Sequence, residues 1–253
     1  MTGASGGLGQ AIARGLAERG ARVALSARRI DVLEELATEI GASVIACDLT
    51  DAVSTRELVE QASGVDLLVA NAGLDSAEDL VEQSDEHIAR VVAVNLTAPA
   101  VLAAGIARAM TSRREGHIVF VSSMAGKFAT AGNGPLYTAT KWGLRGLGLG
   151  LREELRTTGV GVSTVFPGPI RDSGMFADSG APLPASIKTN SPREVAGAVV
   201  RAVERNRAEI DVAAPLIRFG GLLGGPLPRL VAGISRRQGV GEVRAQMAAA
   251  RRR

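Results

Sequence analysis

A chain of 253 residues, 46% hydrophobic and 22% charged, can bury one sizeable α/β core but is short for two, so a single domain over 1–253 is expected. Its formal charge of +3 is unevenly held: 229–253 carries seven arginines against Glu242, leaving 22 basic and 25 acidic residues elsewhere, and aromatics at 3% offer little to stack on bases, which argues against a nucleic-acid partner. The sole cysteine, Cys47, excludes an intrachain disulfide and the glycine-rich start is no secretory signal, so a cytoplasmic location is expected.

The chain opens on Thr2-Gly3-Ala4-Ser5-Gly6-Gly7-Leu8-Gly9, a turn of the kind that joins a buried strand to a helix. Its glycines are spaced for a tight turn, for close approach of backbone N–H groups to phosphates, and for close packing of the next helix on a sheet. That helix, predicted over Gln10 to Arg19 and closed by Gly20, offers its N-terminal amides to a pyrophosphate. Apolar runs then alternate with helical patterns. Strands are predicted at Ala21 to Ala27, Ser43 to Cys47, Val65 to Ala70, His117 to Ser122, Gly161 to Phe166 and Glu209 to Ala213. Helix starts are marked by Asp31 with Glu34, and by Ser191-Pro192-Arg193-Glu194, a capping box with proline in the first turn. The alternation predicts a doubly wound α/β fold with a mostly parallel sheet buried on both faces.

No strand precedes the glycine turn. In the doubly wound order 3-2-1-4 that first strand is central, so two inner edges are expected to lack a partner. About ten ladder bonds at roughly 1 kcal/mol each would be missing, as much as the whole stability of a typical domain. The expectation is a misassigned start: a short apolar strand upstream, with Met1 where its last residue, plausibly a valine, belongs. The alternatives are direct pairing of the flanking strands or a strand borrowed from another chain.

Later, Arg171 to Asn190 is rich in Gly, Pro, Ala and Ser and too long for an ordinary connection. It reads as a substrate lid, with Met175, Phe176, Leu183 and Ile187 facing the substrate, against the plainer reading of a surface loop. The tail, about 215–253, is expected to form helices from about Leu227 that pack on the body or a partner subunit, with Arg251, Arg252 and Arg253 frayed. Arg218 and Arg229 interrupt the apolar run from Pro215 to Ile234, which disfavours a spanning helix. A helix lying on a membrane surface is the less favoured reading.

Candidate chemistry lies at Asn71-Ala72-Gly73 after a strand, Asn95 in a helix, Ser122-Ser123 after a strand, Tyr137 and Lys141 four apart on a helix running to about Arg156, and Pro167-Gly168. Taken singly each has a plain reading: an interface tyrosine, a solvated lysine, a strand-end serine, a buried asparagine. Yet Tyr137 is the only tyrosine and Lys141 one of three lysines, and an i, i+4 pair shares a helix face. Bringing a phenol from about 10 to about 7 takes roughly 4 kcal/mol, which an ammonium at about 4 Å supplies only in a partly dry site. His87 and His117 have no ligand-spaced partner, and no metal is assigned.

The set TGxxxGxG, Asn71-Ala72-Gly73, Ser122-Ser123, Tyr137-xxx-Lys141 and Pro167-Gly168 resembles the short-chain dehydrogenase/reductase family, over Thr2 to about Ala213. The resemblance implies a Rossmann-like fold and NAD(P)-dependent interconversion of an alcohol and a ketone or aldehyde. It implies Tyr137 as acid/base, Ser123 (rather than Ser122) on the substrate oxygen, Lys141 on the nicotinamide ribose, and Asn95 in a proton relay. Gly3, Ser5, Gly7, Leu8 and Gly9 would line the pyrophosphate, Asp48 and Leu49 the adenine, Asn71, Ala72 and Gly73 the ribose wall, and Pro167, Gly168 and Ile170 the carboxamide pocket. Where an NAD enzyme places an acid stands Ala27, followed by Arg28 and Arg29, which suit a 2′-phosphate and favour NADP(H). The family's phosphate-side threonine is replaced by Asp172 and Ser173. Small residues Ala125, Gly126, Ala129 and Gly134 beside the serine suggest a lipophilic or bulky carbonyl. A homodimer or homotetramer through the helices near Ser84 and Pro135 is also implied. The rival readings are a non-catalytic dinucleotide sensor or scaffold, and an epimerase or dehydratase of the extended branch, the latter opposed by the GxxxGxG spacing.

Overall fold

The glycine turn runs straight into helix α1 (Gly7–Ala17), three residues earlier than expected, because Gly6 caps the helix with extended backbone and without a side-chain bond. The computed structural model describes residues 1–129, 132–174, 188–237 and 240–251. Six parallel strands follow the predicted order: β1 (Ala24–Ala27), β2 (Ser43–Ala46), β3 (Leu67–Ala70), β4 (Gly116–Val121), β5 (Val160–Pro167) and β6 (Glu209–Val212). They form two sheets, β1-β2 and β3-β4-β5-β6. β1 and β3 do not pair with each other.

Between the two sheets lie Met1 and Thr2. Ser26 N donates to Met1 O at 2.9 Å, Thr2 N donates to Val69 O at 3.0 Å, Ala4 N donates to Ser26 O at 3.3 Å, and the Met1 amino group donates to Ala24 O at 2.7 Å, so β1 is bonded along Ala24 to Ser26 while β3 is bonded to this short segment at Val69 O. Elsewhere the pairing is regular. β4 and β5 run in register from Gly116 opposite Val160 to Val121 opposite Val165.

Helices cover both faces: α2 (Ile30–Ile40), α3 (Ala52–Gln61), α4 (Asp85–Val92), α5 (Ala98–Arg113), α6 (Pro135–Glu154) and α7 (Pro192–Glu204). Along β4 the period of two divides the core cleanly. Val119 and Val121 point to a cluster with Ile12, Leu16, Val195 and Val199 of α1 and α7. Ile118 and Phe120 point to a cluster with Leu102, Ile106, Met110 and Leu144 of α5 and α6. This is a doubly wound α/β fold. The capping box of α7 forms as read: Ser191 Oγ accepts from Glu194 N at 3.3 Å and Glu194 Oε2 accepts from Ser191 N at 2.6 Å.

α4 and α5 are joined by a π-turn, Ala93–Thr97, into one helix, Asp85–Arg113, long and apolar enough on length and composition to cross a membrane. Its apolar face, however, is core: Leu102, Ile106 and Met110 are buried against the sheet. In the tail, α8 (Pro215–Leu223) begins a dozen residues before the expected start, and α9 (Pro228–Arg237) and α10 (Val240–Arg251) follow. Arg251 is therefore helical rather than frayed, while Arg252 and Arg253 lie outside the described residues. At the expected lid, Ile170 and Asn190 form an isolated parallel bridge that closes the base of the segment. Met175, Phe176, Leu183 and Ile187 lie outside the described residues.

Candidate active site

Because the strands are parallel, every one of them delivers its C-terminal end to the same edge of the fold, where loops rather than helices meet. A cleft of about 680 Å³ opens there. Its walls include Ala27, Arg28 and Arg29 after β1, Asp48 and Leu49 after β2, Asn71, Ala72 and Gly73 after β3, Ser122 and Ser123 after β4, Pro167, Gly168 and Ile170 after β5, and Tyr137 and Lys141 from α6. The residues singled out from sequence are brought to one cleft, with Gly3, Ser5, Gly7, Leu8 and Gly9 on its floor; Asn95 sits behind it, fully buried.

Gly3 holds φ +66°, and a Cβ there would lie 2.7 Å from Ala72 Cα. At Gly9 a Cβ would sit 2.1 Å from Gly3 O, so helix and turn are in contact through backbone alone. Asn71 locks the turn from the other side, its Nδ2 donating to Thr2 O and Gly3 O, both at 3.2 Å. Thr2, not singled out from sequence as a site residue, accepts at its Oγ1 from Asn71 N at 3.2 Å and Ala72 N at 3.3 Å. Both arginines are exposed, but Arg29 donates to Ser5 O at 2.7 Å, which lashes it to the glycine turn. Asp48 is held below the usual carboxylate range chiefly by Thr50, whose N and Oγ1 donate to Oδ1 at 2.9 and 2.8 Å, and in smaller part by the charges of Arg28 and Arg90.

Beyond Ile170, Asp172 is exposed with φ +68° and pairs with Arg171. Ser173 instead faces the turn. A Cβ at Gly7 would meet Ser173 Cβ at 2.4 Å and Oγ at 2.8 Å, and this buried hydroxyl has no hydrogen-bond partner among the described residues. Of the two residues, the serine is the one that faces the glycine turn.

At the other end of the cleft the two serines separate by role. Ser122 Oγ is buried and donates to Lys141 O at 3.0 Å. Ser123 Oγ accepts from Ala125 N at 3.1 Å as the cap of the 3-10 turn Met124–Gly126, and lies beside the Tyr137 phenol. Lys141 Nζ lies 5.6 Å from the centre of the Tyr137 ring and donates to Val121 O at 3.2 Å. Burial pushes the phenol up to about 12, against the pull of the neighbouring Ser123 hydroxyl and with a contribution from Asp75, while burial pulls Lys141 down to about 8. Lys141 is buried and Tyr137 half-buried, so the site is partly dry, as expected. The gain does not fall on the phenolate, however, because desolvation penalises both charged forms alike. At neutral pH Tyr137 therefore holds its proton, and Lys141 bears a cost for its charge.

Asn95 sits in the π-turn, a feature that recurs at functional sites. Its Oδ1 accepts from Leu74 N at 2.7 Å, and its Nδ2 donates to Leu74 O at 2.8 Å and Thr140 Oγ1 at 3.2 Å. The side chain thus ties the loop after β3 to α6 and positions the helix that carries Tyr137. Thr140, which sequence reasoning passed over, is the other half of that tie. Lys127 was passed over as well: its ammonium pairs with Asp211 Oδ1 at 2.6 Å and Glu209 Oε2 at 3.0 Å and lies 4.2 Å from the centre of the Phe166 ring. It braces the serine loop to β6. Among the described residues no group of three His, Cys, Asp or Glu could hold a metal.

A family model described as short chain dehydrogenase matches residues 1–183. An uncharacterized oxidoreductase of Myxococcus xanthus (strain DK1622) is 34% identical over 220 residues, 83% of this chain and 85% of that protein. Among solved structures, a short-chain dehydrogenase from Sphingobium yanoikuyae in complex with NADPH superposes with a TM-score of 0.77 at 27% identity, covering 91% of this chain and 93% of that one. A bulky-bulky ketone specific alcohol dehydrogenase from Comamonas testosteroni gives a TM-score of 0.73 at 29% identity, covering 88% of each chain.

Proposed function

The chain belongs to the short chain dehydrogenase family, NAD(P)-dependent oxidoreductases, and from that premise we propose that it is an NADP(H)-dependent enzyme interconverting an alcohol and a ketone or aldehyde. The observation that carries the reading is the meeting of Ser123 and Tyr137 in the wall of one cleft, with the buried Lys141 ammonium 5.6 Å from the centre of the phenol ring. When bound, the nicotinamide cofactor supplies the hydride donor or acceptor.

The residues present suit such a cofactor. A side chain at Gly3 or Gly9 would collide with backbone, leaving a bare turn against which a pyrophosphate can lie, and the first turn of α1 has no side-chain cap to compete for its amides. Ser173 would add its hydroxyl to the phosphates. Arg28 and Arg29 would meet a 2′-phosphate, and no carboxylate stands at Ala27 to repel one. Asp48 and Leu49 would border the adenine, Asn71, Ala72 and Gly73 the ribose, and Pro167, Gly168 and Ile170 the carboxamide.

Toward the substrate, Ser123 would hold the reacting oxygen and Tyr137, protonated at neutral pH, would deliver the proton to a carbonyl being reduced. Lys141 would bind the nicotinamide ribose and stabilise the phenolate left behind. Asn95 would keep α6 in register with that pair, its amide already spent on Leu74 and Thr140. The cleft wall contributed by Leu216, Ile217, Phe219 and Leu223 favours a lipophilic or bulky carbonyl, in keeping with the bulky ketone named for the Comamonas testosteroni relative. A homodimer or homotetramer through α4 to α6 would cover the exposed Trp142 and Leu149, and the reducing cytoplasm suits the free Cys47.

The test is consumption of NADPH and NADH against a panel of aliphatic and aryl ketones and aldehydes. NADPH should bind at least about tenfold tighter, equivalent to about 1.4 kcal/mol, a gap that Arg28→Ser/Arg29→Ser erases. Tyr137→Phe should lose about a hundredfold or more in turnover with NADPH affinity retained. Cofactor binding without turnover of any carbonyl would favour the sensor reading instead.

A further inference from the structure

Helices α8 and α9 form a hairpin through Gly224-Gly225-Pro226-Leu227, and its two sides differ. The inner side closes the cleft with Ile217, Leu223 and Val231. The outer side exposes Leu216, Phe219, Leu222, Leu227, Leu230 and Ile234, with Leu222 at 73% and Phe219 at 58% of full exposure. On α8 these side chains recur every third residue, so they form one stripe. Six large apolar groups within 19 residues is more than the scattered exposure a folded surface ordinarily carries.

The charge carried by the hairpin itself has one sign. Between Asp211 and Glu242 the sequence holds Arg218, Arg229, Arg236 and Arg237 and no acidic residue, and all four arginines are exposed. A second copy of the chain is a poor occupant for this surface, because a two-fold contact would set the arginines against their own copies with no carboxylate in the hairpin to answer them. Water is poor too, since it leaves the leucines solvated. An apolar stripe flanked by arginines fits one medium that is oily at depth and negative at its surface.

We propose that the α8–α9 hairpin is a docking element for anionic phospholipid bilayers. Leu222, Leu227, Leu230 and their neighbours enter the acyl boundary while Arg218, Arg229, Arg236 and Arg237 meet the phosphates. Leu216, Phe219 and Ile234 belong to both surfaces, exposed outside and lining the cleft, so the cleft opens where the bilayer would lie. A lipophilic carbonyl would then pass from lipid to site without crossing water, a corollary that rests on the oxidoreductase reading; the docking itself does not.

The experiment is co-sedimentation of the full chain with vesicles of phosphatidylcholine alone and of phosphatidylcholine with phosphatidylglycerol at three to one. Binding should be at least tenfold tighter to the anionic vesicles, and at least tenfold weaker for Leu222→Asp/Leu230→Asp. Arg218→Gln and Arg229→Gln should each cost about fivefold on anionic vesicles and nothing on neutral ones. Leu222 and Leu230 do not line the cleft, so NADPH binding by the variants, read by fluorescence, should match the parent. This readout keeps docking separate from the enzymatic reading. A full chain that stays in the supernatant with both vesicles overturns the proposal, as does binding unaffected by the leucine pair. An oligomer that the leucine pair dissociates, with no vesicle binding, overturns it in favour of a second copy.

Discussion

At the scale of single residues, Lys141 shows how the site trades stability for chemistry. Its ammonium is buried beside a phenol and donates to Val121 O. The amine titrates near 10.5 when exposed and near 8 here, so between those values the unfolded chain binds the extra proton. The cost of folding is therefore fully present below pH 8 and is relieved as pH rises toward 10.5. On the order of 3 kcal/mol is involved. Lys141→Met should abolish turnover yet stabilise the protein at pH 7 by about 1–3 kcal/mol, the lower end if the orphaned Val121 carbonyl is costly. Urea unfolding of both proteins at pH 7 and pH 9.5 checks this; a variant less stable than the parent at pH 7 refutes it.

Among secondary elements, the β4–β5 pair carries a titrating group far from the cleft. His117, opposite Gly161 in the ladder, has its Nε2 within 2.8 Å of Ser163 Oγ and is pulled down to about 4 by burial and by the charge of Arg152. Unfolded, it binds a proton near 6.5. Between 4 and 6.5 the unfolded chain thus holds more protons, so stability climbs with pH through that window and is lost as pH falls through it, by about 3 kcal/mol. His117→Gln should keep the Ser163 contact and remove this dependence. The comparison is the loss in unfolding free energy from pH 7.5 to pH 4.5, larger in the parent; equal losses would show that His117 titrates normally.

The same elements show what sequence could and could not supply. The strands were legible because a parallel sheet covered on both faces must be written in unbroken apolar runs, as in Ile118-Val119-Phe120-Val121. Ser191 to Glu194 was legible because a capping box is local chemistry. Thr140 and Lys127 were not, since their roles depend on partners 45 and more than 80 residues away, Asn95 and Glu209. The choice of Ser123 over Ser122 rested on resemblance, and what sequence did not show is that the Ser122 hydroxyl is taken up by Lys141 O while Ser123 caps the next turn. The start of α8 was missed because Pro215 and two glycine pairs read as loop, whereas packing of Gly221 and Gly224 on Met124 and Phe128 makes small residues the requirement there.

For the whole molecule, the divided sheet sets a hierarchy of stability. A two-stranded unit is marginal by itself, and the backbone bonds that carry β1-β2 across to the larger sheet run through Met1, Thr2 and Ala4, beside the apolar cluster that Leu25 shares with Val69 and Val119. Amide protons of Leu25 to Ala27 should exchange through a local opening, at lower free energy than those of Ile118 to Phe120, a stretch paired on both sides. Native-state hydrogen exchange decides it, and equal protection of the two segments would count against the division.

The division also runs through the cleft. Arg28, Arg29 and Asp48 follow strands of the small sheet, whereas Ser123 follows β4 and Pro167 ends β5 of the large one, with Tyr137 and Lys141 on α6 packed against it. A dinucleotide stretched from one group to the other would act as a clasp across the seam. At a hundred times its dissociation constant it should add about 2.7 kcal/mol to the folded state and bring protection of Leu25 toward that of Val119. NMN, which reaches only the large sheet, should leave β1 exchanging as before. The cofactor would then be a structural member of this fold as well as its reagent, and its supply in the cell would set how long the protein survives.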